Sequence, residues 1–288
     1  MGYWKYVFVI ISLFCFISGA AASGWTADDK LRVVVTIPVL ADFARNIGGD
    51  HVSVRSVITG MENPHTYGPR ASDIKSLAEA DMFIRVGLGL ETWAERLAEN
   101  AGNPHLLQVT ASRGCKLIDG NPHVWMNIDN ARRMVAAIMQ GMSRADPSRS
   151  GIYRRNADRY DKRLQKLDRK IRNELARFSG TAVITAVPAF SYYLRRYGIE
   201  EAGTIINIPG REPSGRHLHD IIHIMRRKRI RLILTVPRFP RRLPDMIARE
   251  TGAVVVMLAT LTGSLPGTGT YVEMLAEDTR RIIRAAAR

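Results

Sequence analysis

From Ser150 to Phe178 the chain places Tyr153, Ala157, Tyr160, Leu164, Leu167, Ile171, Leu175 and Phe178 three or four residues apart among Arg, Lys and Asp. That spacing puts every apolar side chain on one stripe of an α-helix. No proline or glycine lies between Ile152 and Phe178, so nothing in the sequence kinks it. At about 1.5 Å per residue the helix reaches roughly 40 Å, the length of a two-lobed protein rather than of one small lobe. The stripe covers few heptads and no second segment resembles it, which argues against a coiled-coil partner and for packing against the chain's own lobes.

The flanking sequence alternates between β-branched runs and amphipathic stretches. Before the long helix, strands are expected at Leu31 to Ile37, Val52 to Ile58, Met82 to Val86 and Leu106 to Val109, with helices at Val39 to Asn46, Ser72 to Glu79 and Glu91 to Asn100. After it come strands at Ala182 to Ala186, Gly203 to Ile206, Leu232 to Thr235 and Ala253 to Leu258. The helices between and after them are expected at Phe190 to Arg196, Leu218 to Lys228, Leu243 to Glu250 and Tyr271 to Ala286. The fold class read from this is α/β: two parallel-sheet lobes, 23–149 and 179–288, joined by one long rigid linking helix, 150–178. Ligands of such sheets bind outside the carboxyl ends of the strands, here between the lobes. Gly87-Leu88-Gly89 is no dinucleotide fingerprint, since Thr92 stands where its third glycine belongs.

Residues 1–22 read as an export signal. Lys5 precedes an apolar run from Val7 to Ser18 that closes on Gly19-Ala20-Ala21-Ala22, and the run is too short to span a bilayer. Phe14 is bulky where a lipoprotein signal needs a small residue before Cys15, so a soluble periplasmic or secreted product is expected. Cleavage would leave Cys115 alone, with no internal disulfide. The formal charge of +15 falls to +14 without Lys5, and the densest cluster is Arg226-Arg227-Lys228-Arg229 with Arg231. Export, the lack of a nucleic-acid motif and the absence of aromatics among these cations exclude nucleic acid as the expected partner.

His65 in Asn63-Pro64-His65 and His123 in Asn121-Pro122-His123 each stand directly after Asn-Pro. Proline fixes its own φ and holds the preceding Asn out of the helical region, so both belong on stiff turns. Neutral imidazole is the commonest protein ligand of transition metals, and His65 and His123 are the candidate metal residues. Metal held by them would be released on acidification, because the ligating imidazole is the neutral one. Glu62 could join as a third ligand from its turn. His219 and His223, one helical turn apart, also have metal-compatible spacing, but Leu218, Ile221, Ile222 and Met225 mark the buried side of that helix and leave the pair outside.

The run Asn63-Pro64-His65-Thr66-Tyr67-Gly68-Pro69, followed by Gly87-Leu88-Gly89-Leu90-Glu91, Trp93, Asn121-Pro122-His123-Val124-Trp125, Ala189-Phe190-Ser191-Tyr192-Tyr193, Glu212-Pro213-Ser214 and Thr270-Tyr271, resembles the metal-binding receptors of zinc and manganese ABC transporters. The resemblance implies two lobes joined by a long helix, a monomer in the periplasm, no enzymatic activity, and a metal ion and an ABC permease as partners. It also implies zinc, alternatively manganese, at His65 and His123. The family's third ligand, a histidine, falls here on Val187, and its fourth, a carboxylate, on Gly263. Asn63, Asn121 and Asn127 stand where Asp is usual, and Val236 where Glu is common. Neither Val187 nor Gly263 can bind a metal, so weak binding is expected. The alternative reading is a receptor relative that has lost high-affinity metal binding and takes a chelated metal or another small ligand. An open two-histidine metallohydrolase is a third, for which no general base is evident.

Overall fold

The computed structural model describes residues 30–207, 212–237 and 239–287. The expected leader, 1–22, and Cys15 lie outside them. The first lobe runs β1 (Leu31–Val35), α1 (Pro38–Gly48), β2 (Val52–Ser56), α2 (Ala71–Ala78), β3 (Met82–Arg85), α3 (Ala94–Ala101), β4 (Leu107–Thr110) and α4 (Ile128–Ala145). Then comes α5 (Ser150–Leu175), which passes into a 3₁₀ turn at Ala176–Phe178. The second lobe runs β5 (Ala182–Thr185), α6 (Ser191–Arg196), β6 (Glu200–Thr204), α7 (Gly215–Lys228), β7 (Leu232–Thr235), α8 (Arg242–Thr251), β8 (Val254–Met257) and α9 (Tyr271–Ala286).

The two sheets have the same topology, β2-β1-β3-β4 and β6-β5-β7-β8, and every pairing is parallel. In each the chain pairs outward on one side of its first strand and then crosses to the other. The switch point therefore falls beside β1 in one lobe and β5 in the other, and the loops after the strands of both lobes can meet. Parallel strands covered on both faces are apolar throughout: Val33, Val34 and Val35 of β1 and all of β7 are buried.

Helix α5 turns Tyr153, Ala157, Tyr160, Leu164, Leu167, Ile171 and Leu175 inward, the stripe read from the sequence. It packs on α1 and α4 of the first lobe and on α9 of the second. Each large apolar side chain so buried contributes about 1.5–3 kcal/mol. One hydrophobic core runs from Leu31 in β1 to Ile282 in α9, through residues of both lobes and the linking helix. Asp42 of α1 pins the junction, its Oδ2 accepting hydrogen bonds from the Tyr160 hydroxyl of α5 (2.8 Å) and the Tyr271 amide of α9 (3.2 Å). Arg196 of α6 adds a second pin, donating to Asp168 of α5 and Asp129 of α4.

Two elements differ from the sequence expectation. The β6 strand spans Glu200–Thr204, not Gly203 to Ile206. As an edge strand it leaves Glu200 exposed, and the apolar Ile205 and Ile206 that suggested the later register lie in the loop beyond it. Helix α4 was not anticipated, although Ile128, Ala131, Met134, Val135, Ile138 and Met142 carry its period. Its N-cap is Asn127, whose Oδ1 accepts from Asp129 N (2.8 Å) and Asn130 N (3.4 Å).

Candidate metal centre

The site begins with a turn that the chain builds from Asn-Pro-His. Asn63 Oδ1 accepts from the His65 amide, and Asn121 Oδ1 from the His123 amide, each at 3.0 Å. A third copy, Asn103-Pro104-His105, makes the same bond at 3.0 Å, and the sequence reading passed over it. The side-chain oxygen mimics a backbone carbonyl two residues back, which stiffens the turn whatever the histidine does. His105 is exposed and sits ahead of β4, at the amino end of the sheet. His65 follows β2 and His123 follows β4, both at the carboxyl end. Topology therefore separates one copy from the other two.

The rings of His65 and His123 come to 5.4 Å between centroids, inclined at 60°. Asn121 Oδ1 also lies 2.8 Å from His123 Nδ1. An amide oxygen only accepts, so Nδ1 carries the proton and the Nε2 lone pair is free for a metal. The loop of His65 is held by Trp93, whose Nε1 donates to Pro64 O at 2.8 Å and whose ring meets Tyr67 edge-on at 5.2 Å. Glu91, buried below this loop, ties the ends of β1 and β3 together by accepting from Thr36 Oγ1, Val86 N and Gly87 N.

Opposite the histidines, the second lobe supplies Val187 after β5, Val236 after β7 and Thr260 and Leu261 after β8, around a cavity of about 490 Å³. The lobes are bonded at its floor. Asn121 Nδ2 donates to Pro188 O (2.5 Å), Trp125 Nε1 to Thr260 O (2.7 Å), the Tyr192 hydroxyl to Asn121 O (2.7 Å) and the Tyr271 hydroxyl to Trp125 O (2.5 Å). The His123 motif is thus a strut between lobes as well as a carrier of one imidazole.

Burial lowers the pKa of His65, and burial together with the neighbouring His65 brings His123 down to about 3. Both rings are therefore neutral, and so able to ligate, at neutral pH. Glu62 lines the same cavity. Burial would raise its pKa, but hydrogen bonds from Thr59 N and Oγ1, both 2.9 Å, outweigh it and the carboxyl titrates below its usual range.

Among the described residues no cluster of three His, Cys, Asp or Glu could hold a metal. Glu62 is thus not brought to the histidine pair. Val187 borders the cavity with an isopropyl group, and Gly263 sits at φ 77°. His217 Nε2 bonds Thr204 O at 2.8 Å, the His219 side chain is 80 % exposed, and His223 is exposed too, and none of the three lines the cavity. Burial pushes the Cys115 thiol up to about 11, which makes it a poor ligand. Sequence reasoning took Asn121 only for a lost acid. The i, i+2 spacing gives the backbone turn at all three copies, whereas the contact to Nδ1 is seen at His123.

Comparison with known proteins agrees with this architecture. The chain is 27 % identical over 284 residues to the high-affinity zinc uptake system protein ZnuA of Bacillus subtilis, covering 90 % of this chain and 89 % of that one. It is 25 % identical over 284 residues to the manganese-binding lipoprotein MntA of Halalkalibacterium halodurans, covering 95 % of each. A crystal structure of ZnuA superposes with a TM-score of 0.81 at 25 % identity, over 89 % of this chain and 99 % of that one. The family described as zinc-uptake complex component A, periplasmic, matches residues 33–285, and the chain belongs to that family, ZnuA.

Proposed function

We propose that the protein is a periplasmic receptor that captures a divalent transition metal through Nε2 of His123 and the imidazole of His65, and passes it as a monomer to an ABC permease. It is a binding protein rather than an enzyme, and the metal is its cargo. The observation that carries this reading is the pair of neutral imidazoles 5.4 Å apart at the carboxyl ends of the strands, one with its tautomer set by Asn121. Zinc is favoured over manganese, because imidazole suits zinc whereas manganese prefers carboxylate and carbonyl oxygen. Family membership and the names of the zinc and manganese relatives support transport as the purpose.

The test is metal analysis of protein purified without chelator or affinity tag, followed by calorimetry with Zn²⁺ and Mn²⁺. One zinc per chain is expected, bound at least tenfold more tightly than manganese and lost in His65→Ala and His123→Ala. Zinc affinity unchanged in both variants would remove these residues from the site.

A further inference from the structure

We infer that the cargo enters this cleft as a one-to-one complex of the metal with a small organic chelator, one that has an apolar or aromatic body and carries little net charge. The inference rests on the receptor reading and names its substrate class. Zinc takes four ligands, and a closed protein site supplies most of them itself. Here two imidazoles converge, and among the described residues no further His, Cys, Asp or Glu joins them. An external chelator can supply the donors that these described side chains do not.

Water is an unsuitable source. The cavity wall includes Val187, Ile206, Val236, Phe239 and Leu261, and metal-bound waters would leave that apolar surface wet, whereas an organic ligand would bury it. The cavity is also far too large for a bare ion. Its volume of about 490 Å³ falls within the roughly 300–1,000 Å³ of small-molecule pockets. A chelator would complete the coordination shell with its own nitrogen or oxygen atoms and bury its carbon skeleton on the apolar wall. Charge narrows the class further. The described lining has one ionised group, the Glu62 carboxylate, and no cation. Against that described lining a neutral or singly positive complex fits.

Equilibrium dialysis and calorimetry with Zn²⁺ alone, with pyridine-2,6-dicarboxylate alone and with their neutral one-to-one complex test this, with the singly positive one-to-one 8-hydroxyquinoline complex alongside. The expected result is a ternary species of one protein, one zinc and one chelator, at least tenfold tighter than zinc from water. His65→Ala should abolish it, and Phe239→Ala should weaken it about tenfold. If Zn²⁺ alone binds as tightly as every complex, or if the chelators strip the metal without forming a ternary species, the inference is overturned and the receptor reading stands. Complexes that bind unaffected by both His65→Ala and His123→Ala overturn it too. If neither zinc nor any complex binds, the receptor reading falls and takes the inference with it.

Discussion

Asn121 Oδ1 lies 2.8 Å from His123 Nδ1 and 3.0 Å from the amide of the same histidine, so one oxygen sets both the ring's tautomer and its turn. The Nδ2 of Asn121 meanwhile donates to Pro188 O in the second lobe. The amide cannot be flipped, because that would aim NH₂ at the His123 N–H and oxygen at a carbonyl. Metal affinity and the contact between lobes thus pass through one side chain.

Asn121→Ala should therefore cost on both counts. Losing the partner of a ligating imidazole typically lowers metal affinity 10–100-fold, and the bond from Asn121 to Pro188 O across the lobe interface is lost, a net contribution of about 0.5–1.5 kcal/mol. Asn121→Asp keeps the acceptor and makes the ring more basic, but faces Pro188 O with a carboxylate. It should hold or raise zinc affinity while lowering the melting temperature. Paired calorimetry and thermal melts separate the effects, and an Asp variant as stable as wild type would contradict the strut.

Acid should weaken the fold through the same ring. His123 is held at about 3 and His65 is also lowered, whereas in the unfolded chain imidazoles protonate near their reference value of 6.5. The unfolded state then binds more protons as pH falls below about 6.5, and stability drops until the folded pKa is reached. The contribution is fully present above 6.5. Buried Asp42, Glu91 and Asp278 are shifted upward and act oppositely, losing stabilisation as pH rises through their folded values, so the comparison must be differential. Wild type should lose more melting temperature from pH 7.5 to 5 than His123→Gln does. Equal losses would show that the ring is not the titrating group. The same depression keeps both imidazoles neutral below 6.5, so proton-driven metal release should begin at lower pH than an ordinary imidazole would give.

The long helix, the alternation of strands and helices along the chain and α9 were legible because their signals are periodic and local. Leu232 to Thr235 could be read as a strand with its bounds because a central parallel strand is apolar on both faces. Edge strand β6 was misplaced for the converse reason. The pairing of His65 with His123 is non-local: the family resemblance names those two, but the three identical Asn-Pro-His turns do not themselves say which meet. Only strand direction decides this, by placing His105 ahead of β4 and the other two beyond the strand ends. His105→Ala should accordingly leave zinc titrations unchanged.

Asp42 offers a test of the rigid junction. It is 8 % exposed and receives the Tyr160 hydroxyl and the Tyr271 amide from two other helices. Asp42→Ala strands two buried donors, each costing about 1–3 kcal/mol, whereas Asp42→Asn retains an acceptor oxygen for them. Chemical denaturation should rank wild type above Asn and Asn well above Ala. A near-neutral Ala variant would mean that α1, α5 and α9 are held by apolar packing alone.

Rebuilding the missing half of the site should succeed at one position and falter at the other. Val187 lines the cavity facing the histidines, so Val187→His can present an imidazole nitrogen from the second lobe, and one added ligand worth tenfold corresponds to about 1.4 kcal/mol. Gly263 is different. A Cβ there would meet nothing within 4 Å, yet its φ of 77° is the left-handed conformation that costs a non-glycine residue roughly 1–2 kcal/mol. Aspartate tolerates that region better than most residues, so Gly263→Asp should fold with a reduced melting temperature and add less affinity than Val187→His. His219→Ala with His223→Ala should change nothing, since both side chains are exposed on α7. Titrations against a competing chelator rank the four proteins. If the α7 pair proves essential while Val187→His is inert, the metal binds on the outer face of the second lobe and the cleft assignment is wrong.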